Sequence, residues 1–392
     1  MFCGEKMKEI RELNGLSRKE LADKLEIMEQ AVWQYENEKF LPRIEILNKL
    51  REFFAVETRY FFTPSYLNNA IVSEEKIAYR ADDRESRKKT KLELSYLNFI
   101  DYYIRYFEKN IMLPNNTIKN IRNKCLEYIH KASPTDRIAA IQQIAIYARK
   151  KLRISNNRDL MYILENSGIY VLEKNLGATI DAYSTCTEDG RLYIILGTMR
   201  KSAVRRNFDL AHELGHLLLH DDIDMELLSP QEFKSIEKEA DLFASAFLLP
   251  EKEFIADFAD IRRKSNPDAY LELKRKYMVS IASLEMRAYH LNLINYQENR
   301  YFWAQLYKKS YRKYEPLDDE IVPIKPAKMR SLIRFTLDNK VIHLDQVLQE
   351  FLVLPTFLEK LFNLEHNFFQ PYLEQKQEYF SLDNIVDIKQ YQ

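Results

Sequence analysis

The sequence predicts a mainly α-helical, multidomain α+β chain with one small β-sheet. Three observations point there. Seven glycines in 392 residues, with abundant Leu, Ile, Lys and Glu, is the composition of a helix-rich chain. Apolar residues recur at helical spacing behind two capping-box signatures, Ser17-Arg18-Lys19-Glu20 and Ser229-Pro230-Gln231-Glu232. Two short β-prone runs, Gly168–Leu172 and Leu192–Leu196, are flanked by glycines.

The length argues for two or three domains, and the 46% hydrophobic content is enough to fill their cores. Lys+Arg and Asp+Glu balance at 59 each, so any basic footprint for nucleic acid must be local. Cys3, Cys125 and Cys186 are scattered, forming neither a disulfide framework nor a Cys-x-x-Cys metal pair, which suits a reducing compartment. No apolar leader or 18-residue apolar run is present, so the expectation is a soluble, cytoplasmic protein with no membrane partner.

Residues 5–64 read as short helices. Ile10, Leu13 and Leu16 share one face, and the first capping box opens a helix burying Leu21, Ala22 and Leu25. A break at Glu26-Ile27 precedes a third helix over Glu29–Glu36. Pro42 starts a fourth, with Ile44, Leu47, Leu50 and Phe54 on its buried face. After Pro64 comes a charged stretch, an amphipathic run over Leu92–Phe107, a break at Pro114-Asn115-Asn116, and a further helical run to about Arg149. The two β-prone runs lie just before the segment His212-Glu213-Leu214-Gly215-His216. Pro316, Pro323 and Pro326 mark a linker, and the last sixty residues read as helices with Leu and Phe faces.

His212 and His216 lie four apart, one helical turn, and can present imidazole nitrogens to one Zn2+. Glu213 is placed to take a proton from a water at the metal. The rest of that helix is apolar (Phe208, Leu210, Ala211, Leu214, Leu217, Leu218), where such polar groups are costly without a partner. A catalytic zinc needs a third protein ligand and one open position. The helix behind the second capping box offers Glu237. Asp241, one turn on, can accept the second N–H of a ligand histidine. Small residues Ala240 and Ala244 allow this helix a close approach. Two competitors exist. Glu239 points to a different face from Glu237, and His220 sits a full turn beyond His216, where it reads as a helix C-terminal histidine favoured by the dipole. Tyr183 and His290 are open as donors to a developing oxyanion.

The stretch Arg205–His220, with Glu237–Ala244, Leu248-Leu249-Pro250, Gly168–Val171, Asp181–Ser184, Leu273–Ser280 and Arg287, resembles the ImmA/IrrE family of zinc metallopeptidases over roughly 156–290. Asn207 departs from the arginine that members often carry there. The resemblance implies a gluzincin-like centre with His212, His216 and Glu237 as ligands and Glu213 as base. It also implies a substrate class, a helix-turn-helix repressor inactivated by limited cleavage. Residues 5–64 resemble an XRE-type helix-turn-helix, through Leu16–Ala22, Tyr35-Glu36 and Pro42. Tyr79-Arg80-Ala81 and Tyr314–Leu317 look like the class in which regulator and peptidase are fused.

The expected organisation is therefore a helix-turn-helix at 1–68, a helical connector at 69–155, the peptidase at 156–290 and a helical sensing or oligomerisation domain at 291–392. The second helix of the motif would enter the major groove and offer Gln30, Trp33, Gln34 and Asn37. Glu26 and Met28 stand where the family commonly has a turn glycine and a Ser or Thr cap. Residues 1–64 hold 11 Lys and Arg against 12 Asp and Glu, a net of −1, so the phosphate-binding term is weak. Arg87–Lys91 could add phosphate contacts. Double-stranded DNA and a second copy of the chain are left open as partners. The alternative function is a DNA-binding or antitoxin-like regulator whose zinc domain senses a signal without proteolysis.

Overall fold

The computed structural model describes residues 1–67, 84–112, 116–177, 180–198, 202–220, 223 and 227–373. Tyr79-Arg80-Ala81, Pro114-Asn115 and the side chains of 84–90, including most of the Arg87–Lys91 run, lie outside the described set. The chain divides into two compact units. One comprises 1–68, 103–110 and 330–392, the other 69–102 and 111–329.

The first unit begins with α1 (Gly4–Leu13), α2 (Arg18–Leu25), α3 (Glu29–Glu36) and α4 (Ile44–Phe54), followed by a 3-10 turn at Thr58–Phe62. Ser17 and Glu20 form the expected capping box at α2. Glu26 closes that helix in the left-handed region (φ 58°), a conformation more easily held by glycine. α4 starts at Ile44 rather than Pro42, and Ile44 is exposed while Leu47, Leu50 and Phe54 are buried. Three of the four positions read as its core face are therefore core. The buried Glu36 carboxylate binds both Arg11 and Arg18, tying α3 to α1 and α2. α1 also passes so close to the end of α3 that a Cβ at Gly4 would lie 2.3 Å from the Glu36 carbonyl oxygen.

The second unit is built from α5 (Arg84–Glu108), whose end from 103 belongs to the first unit, then α6 (Thr117–Lys131), α7 (Arg137–Lys151) and α8 (Leu160–Ser167). Strands β1 (Tyr170–Lys174), β2 (Ala182–Cys186) and β3 (Leu192–Gly197) follow. α9 (Ala203–Leu219), α10 (Pro230–Leu248), α11 (Glu251–Phe258), α12 (Leu271–Tyr277), α13 (Ile281–His290) and α14 (Tyr296–Lys308) complete it. The sheet order is β1-β3-β2, with β1 parallel and β2 antiparallel to β3. β3 is buried at all its positions, as a central strand covered on both faces must be. Buried residues of α9, α10 and α7 form one continuous apolar core with β1 and β3.

The Tyr314–Leu317 segment is anchored by charge. The buried Glu315 carboxylate accepts from Lys274 Nζ at 2.8 Å and from the Ile281 N–H at 2.9 Å, and Asp318 takes a second Lys274 bond at 2.7 Å. Back in the first unit, α15 (Lys328–Asp338), whose start belongs to the second, is followed by α16 (Leu344–Phe351), α17 (Pro355–Leu361) and α18 (Gln370–Leu373).

Candidate metal centre

α9 and α10 bring the candidate residues together. Along α9, Leu210, Ala211, Leu214 and Leu218 are fully buried. The face left over carries His212 and His216 with only 16% and 12% of their side chains exposed. α10 starts at Pro230 behind the Ser229–Glu232 capping box, as its sequence predicts. The two helices meet where Gly215 faces Ala240 and Phe243. A Cβ at Gly215 would lie 3.0 Å from Phe243 Cδ1 and 3.4 Å from Ala240 Cα. That close approach sets the reach of a glutamate side chain from one helix to the other.

The Nε2 atoms of His212 and His216 are 3.0 Å apart. Glu237 Oε2 lies 3.4 Å from the first and Oε1 3.3 Å from the second. Ligands about 2.0–2.1 Å from a tetrahedral zinc are separated by roughly 3.3 Å; each imidazole nitrogen has a different Glu237 oxygen at about that spacing, and one donor atom from each of the three residues lies within 4.8 Å of the other two. Two imidazoles and one carboxylate are also a donor set zinc accepts, leaving a fourth corner open. Among the described residues this is the one group of three or more metal-binding side chains that converge.

The surroundings fix the rings. Asp241 Oδ1 lies 2.9 Å from His212 Nδ1 and accepts its N–H when Nε2 faces the metal. Burial opposes charge on His212, but its bonds to Asp241 and Glu237 outweigh that and hold its pKa up at about 10. Burial likewise works against the Glu237 carboxylate, and the two histidines reverse it, holding its pKa well below the usual range.

Glu213 is buried, and the Ser184 hydroxyl on β2 donates to its Oε2 at 2.7 Å. Ser184 was visible in the sequence only as part of a resembling motif; its reach to Glu213 comes from the antiparallel pairing of Ser184 with Ile194. His220 and Glu239, set aside as ligand competitors, form a chain behind His216. His216 Nδ1 is 3.1 Å from His220 Nδ1, and His220 Nε2 is 3.0 Å from Glu239 Oε2. Arg137 of α7 grips both Glu239 oxygens, at 2.5 and 2.8 Å. His220 is the C-cap of α9 and is buried, so its partners are side chains rather than the helix dipole in solvent. Of the two oxyanion candidates, Tyr183 gives its hydroxyl to Glu93 at 2.7 Å, and His290 is exposed. Asn207, the departure from the family pattern, donates to the Asn157 and Met278 carbonyls at 3.3 and 3.1 Å, an architectural use.

In the first unit Gln30, Trp33 and Asn37 are exposed and Gln34 is half-buried, so α3 presents them together on its open side. Asn37 also donates to the Trp33 carbonyl at 2.8 Å. No helix among the described residues is long and apolar enough to cross a membrane.

Residues 164–289 match the family model Peptidase_M78, the IrrE N-terminal-like domain, and residues 7–61 match a helix-turn-helix model. Both resemblances read from the sequence, and their order along the chain, are thereby borne out. A search of curated proteins finds no match. A helix-turn-helix followed by a domain of a peptidase family fits a fused DNA-binding metallopeptidase.

Proposed function

We propose that the chain is a cytoplasmic zinc endopeptidase that regulates transcription of stress, mobile-element or defence genes by limited cleavage of a repressor-type protein. The triangle of His212, His216 and Glu237 with Glu213 beside it is the observation that carries this reading. Zinc held there would lower the pKa of water toward ~7 and polarise a peptide carbonyl.

The chain's own residues do the rest. His212 is oriented by Asp241 and His216 by His220, so each offers Nε2. Glu213 takes the proton of the attacking water and delivers it to the leaving amine, a role worth about 10²–10⁴-fold. Ser184 fixes which carboxylate oxygen faces the substrate by occupying the other. The helix-turn-helix, with Gln30, Trp33, Gln34 and Asn37 outward, would direct the peptidase to DNA-bound targets.

The test is a pull-down and cleavage assay against the products of neighbouring genes, with wild type and Glu213→Gln. The variant should trap a protein that the wild type cuts. Equal cleavage by both sinks the assignment of the base. Tight operator binding with no protein cut by either favours a metal-sensing regulator instead.

A further inference from the structure

A cavity of about 280 Å³ opens beside the N-terminal half of α9, entirely within the second unit. Its floor is apolar. Met161 of α8, Leu210 of α9 and Met278 after α12 line it and are buried. The segment Glu320–Ile324 forms another wall. Val322 and Ile324 line the cavity from there, yet they remain 76% and 46% exposed. They border the space without filling it, and an apolar occupant would take them out of water.

That wall is held in place. Before it, Asp318 takes bonds from Lys274 at 2.7 Å and from the Ser202 hydroxyl at 3.1 Å. After it, the Ala327 and Lys328 N–H groups donate to Glu165 at 3.1 and 2.9 Å. Between these anchors Arg206 donates to the Ile324 carbonyl at 3.2 Å. A cavity with fixed, mostly apolar walls and few polar groups is the usual form of a small-molecule site. The polar side chains around this one are unequal. Arg206 is neutralised by Glu173 at 2.5 Å, and the Asn207 amide is spent on the Asn157 and Met278 carbonyls. Glu320 lies 3.7 Å from Arg275. Arg158 also lines the cavity, is exposed, and forms no ion pair among the described residues. It is the cation left to meet an anion.

An apolar cavity of about 150 Å³ takes a benzene ring, so this one has room for on the order of ten non-hydrogen atoms. We propose that it binds a small apolar carboxylate of about that size. The hydrocarbon lies against Met161, Leu210 and Met278 on one side and Val322 and Ile324 on another, and the carboxylate meets Arg158. Leu210 and His212 stand about 200° apart round α9, so the occupant sits away from the candidate metal ligands. The site is independent of what the metal centre cleaves.

Isothermal titration of the full chain tests this with octanoate and 4-phenylbutyrate as probes, each beside its own amide, with and without EDTA. Both carboxylates should bind, and EDTA should change nothing. The amides should bind roughly two- to fivefold more weakly, as loss of one exposed ion pair predicts. Arg158→Gln should erase that difference. Ala203 lines the cavity from the first residue of α9, so Ala203→Phe fills it and should abolish binding of all four probes, with Ala203→Met the milder version. Circular-dichroism melts show which variants fold. No saturable binding of either carboxylate would overturn the proposal. So would binding that disappears with EDTA, because the carboxylate would then be on the metal. An acid–amide difference that survives Arg158→Gln, or undiminished binding in whichever Ala203 variant folds, overturns it equally.

Discussion

His216 and His220 face each other through their Nδ1 atoms at 3.1 Å. Only one of the two can carry the proton. If His216 offers Nε2 to a metal, its Nδ1 holds the hydrogen and donates to His220. His220 is then protonated on Nε2 and donates to Glu239, which Arg137 holds from the other side. Three side chains from three helices thus fix one ring and one tautomer. Removing such support typically costs 10–100-fold in metal affinity. His220→Ala and Glu239→Gln should each weaken zinc binding by about that factor in a chelator competition titration. Arg137→Ala should do less, since Glu239 would remain. Unchanged affinity in His220→Ala would show that the chain orients nothing.

In the proposed mechanism Glu213 acts on the water and is not a metal ligand. Glu213→Gln keeps shape and the Ser184 contact but cannot accept a proton. Zinc content should be unchanged while kcat falls by about 10²–10⁴-fold. His216→Ala removes a ligand and should lose the metal itself. Ser184→Ala frees Glu213 Oε2 to rotate, and should lower kcat by roughly tenfold, at the low end of what acid–base positioning contributes. Elemental analysis beside steady-state kinetics separates the three cases.

How much of this was legible depended on the range of the interaction. The capping boxes at Ser17 and Ser229 are local, and both helices start where they were read. His212 and His216 share a face by periodicity alone. β2 was not read as a strand because Ala182–Cys186 has no apolar run; its Ser184 and Thr185 are held by pairing with the apolar β3. The His220–Glu239 contact joins the end of α9 to α10, and Arg137 lies on a third helix, so no spacing encodes it. Ile44 lies in the first turn of α4 and is exposed, because periodicity does not separate a helix's solvent-open first turn from its core face. The Val56–Val353 bridge pairs distant parts of the sequence, so no local pattern encodes it.

At the proposed centre metal and proton would compete. In the metal-free protein His212 stays protonated up to about pH 10, stabilised by Asp241 and Glu237. Zinc must displace that proton. The raised pKa means uptake near pH 8 should release about one proton, and apparent affinity should rise roughly tenfold per pH unit between about 7 and 10. The sign for folding without metal is the opposite. The stabilisation is complete below the unfolded histidine pKa and is lost as pH rises through about 10. Calorimetric titration in buffers of different ionisation enthalpy counts the protons; no buffer dependence would refute the competition.

Glu285 of α13 gives a second pH effect, remote in kind from the metal. It is fully buried, accepts from Asn299 Nδ2 at 2.8 Å on Oε1, and has no partner for Oε2. Burial raises its pKa to about 7, against the opposing influence of Asn299 and the neighbouring Trp303 indole. The folded protein therefore binds this proton more tightly than the unfolded chain. Stability from the group is intact below about pH 4.5, declines as pH rises towards 7, and levels off above. Glu285→Gln keeps an acceptor for Asn299 and carries no charge. Its advantage should be absent at pH 4.5, grow through pH 6, and amount to a few °C in Tm at pH 8, about what 1–2 kcal/mol gives a domain of this size. Thermal melts of both proteins across that range check it, and a pH-independent difference would mean that the variant acts through packing rather than through the proton.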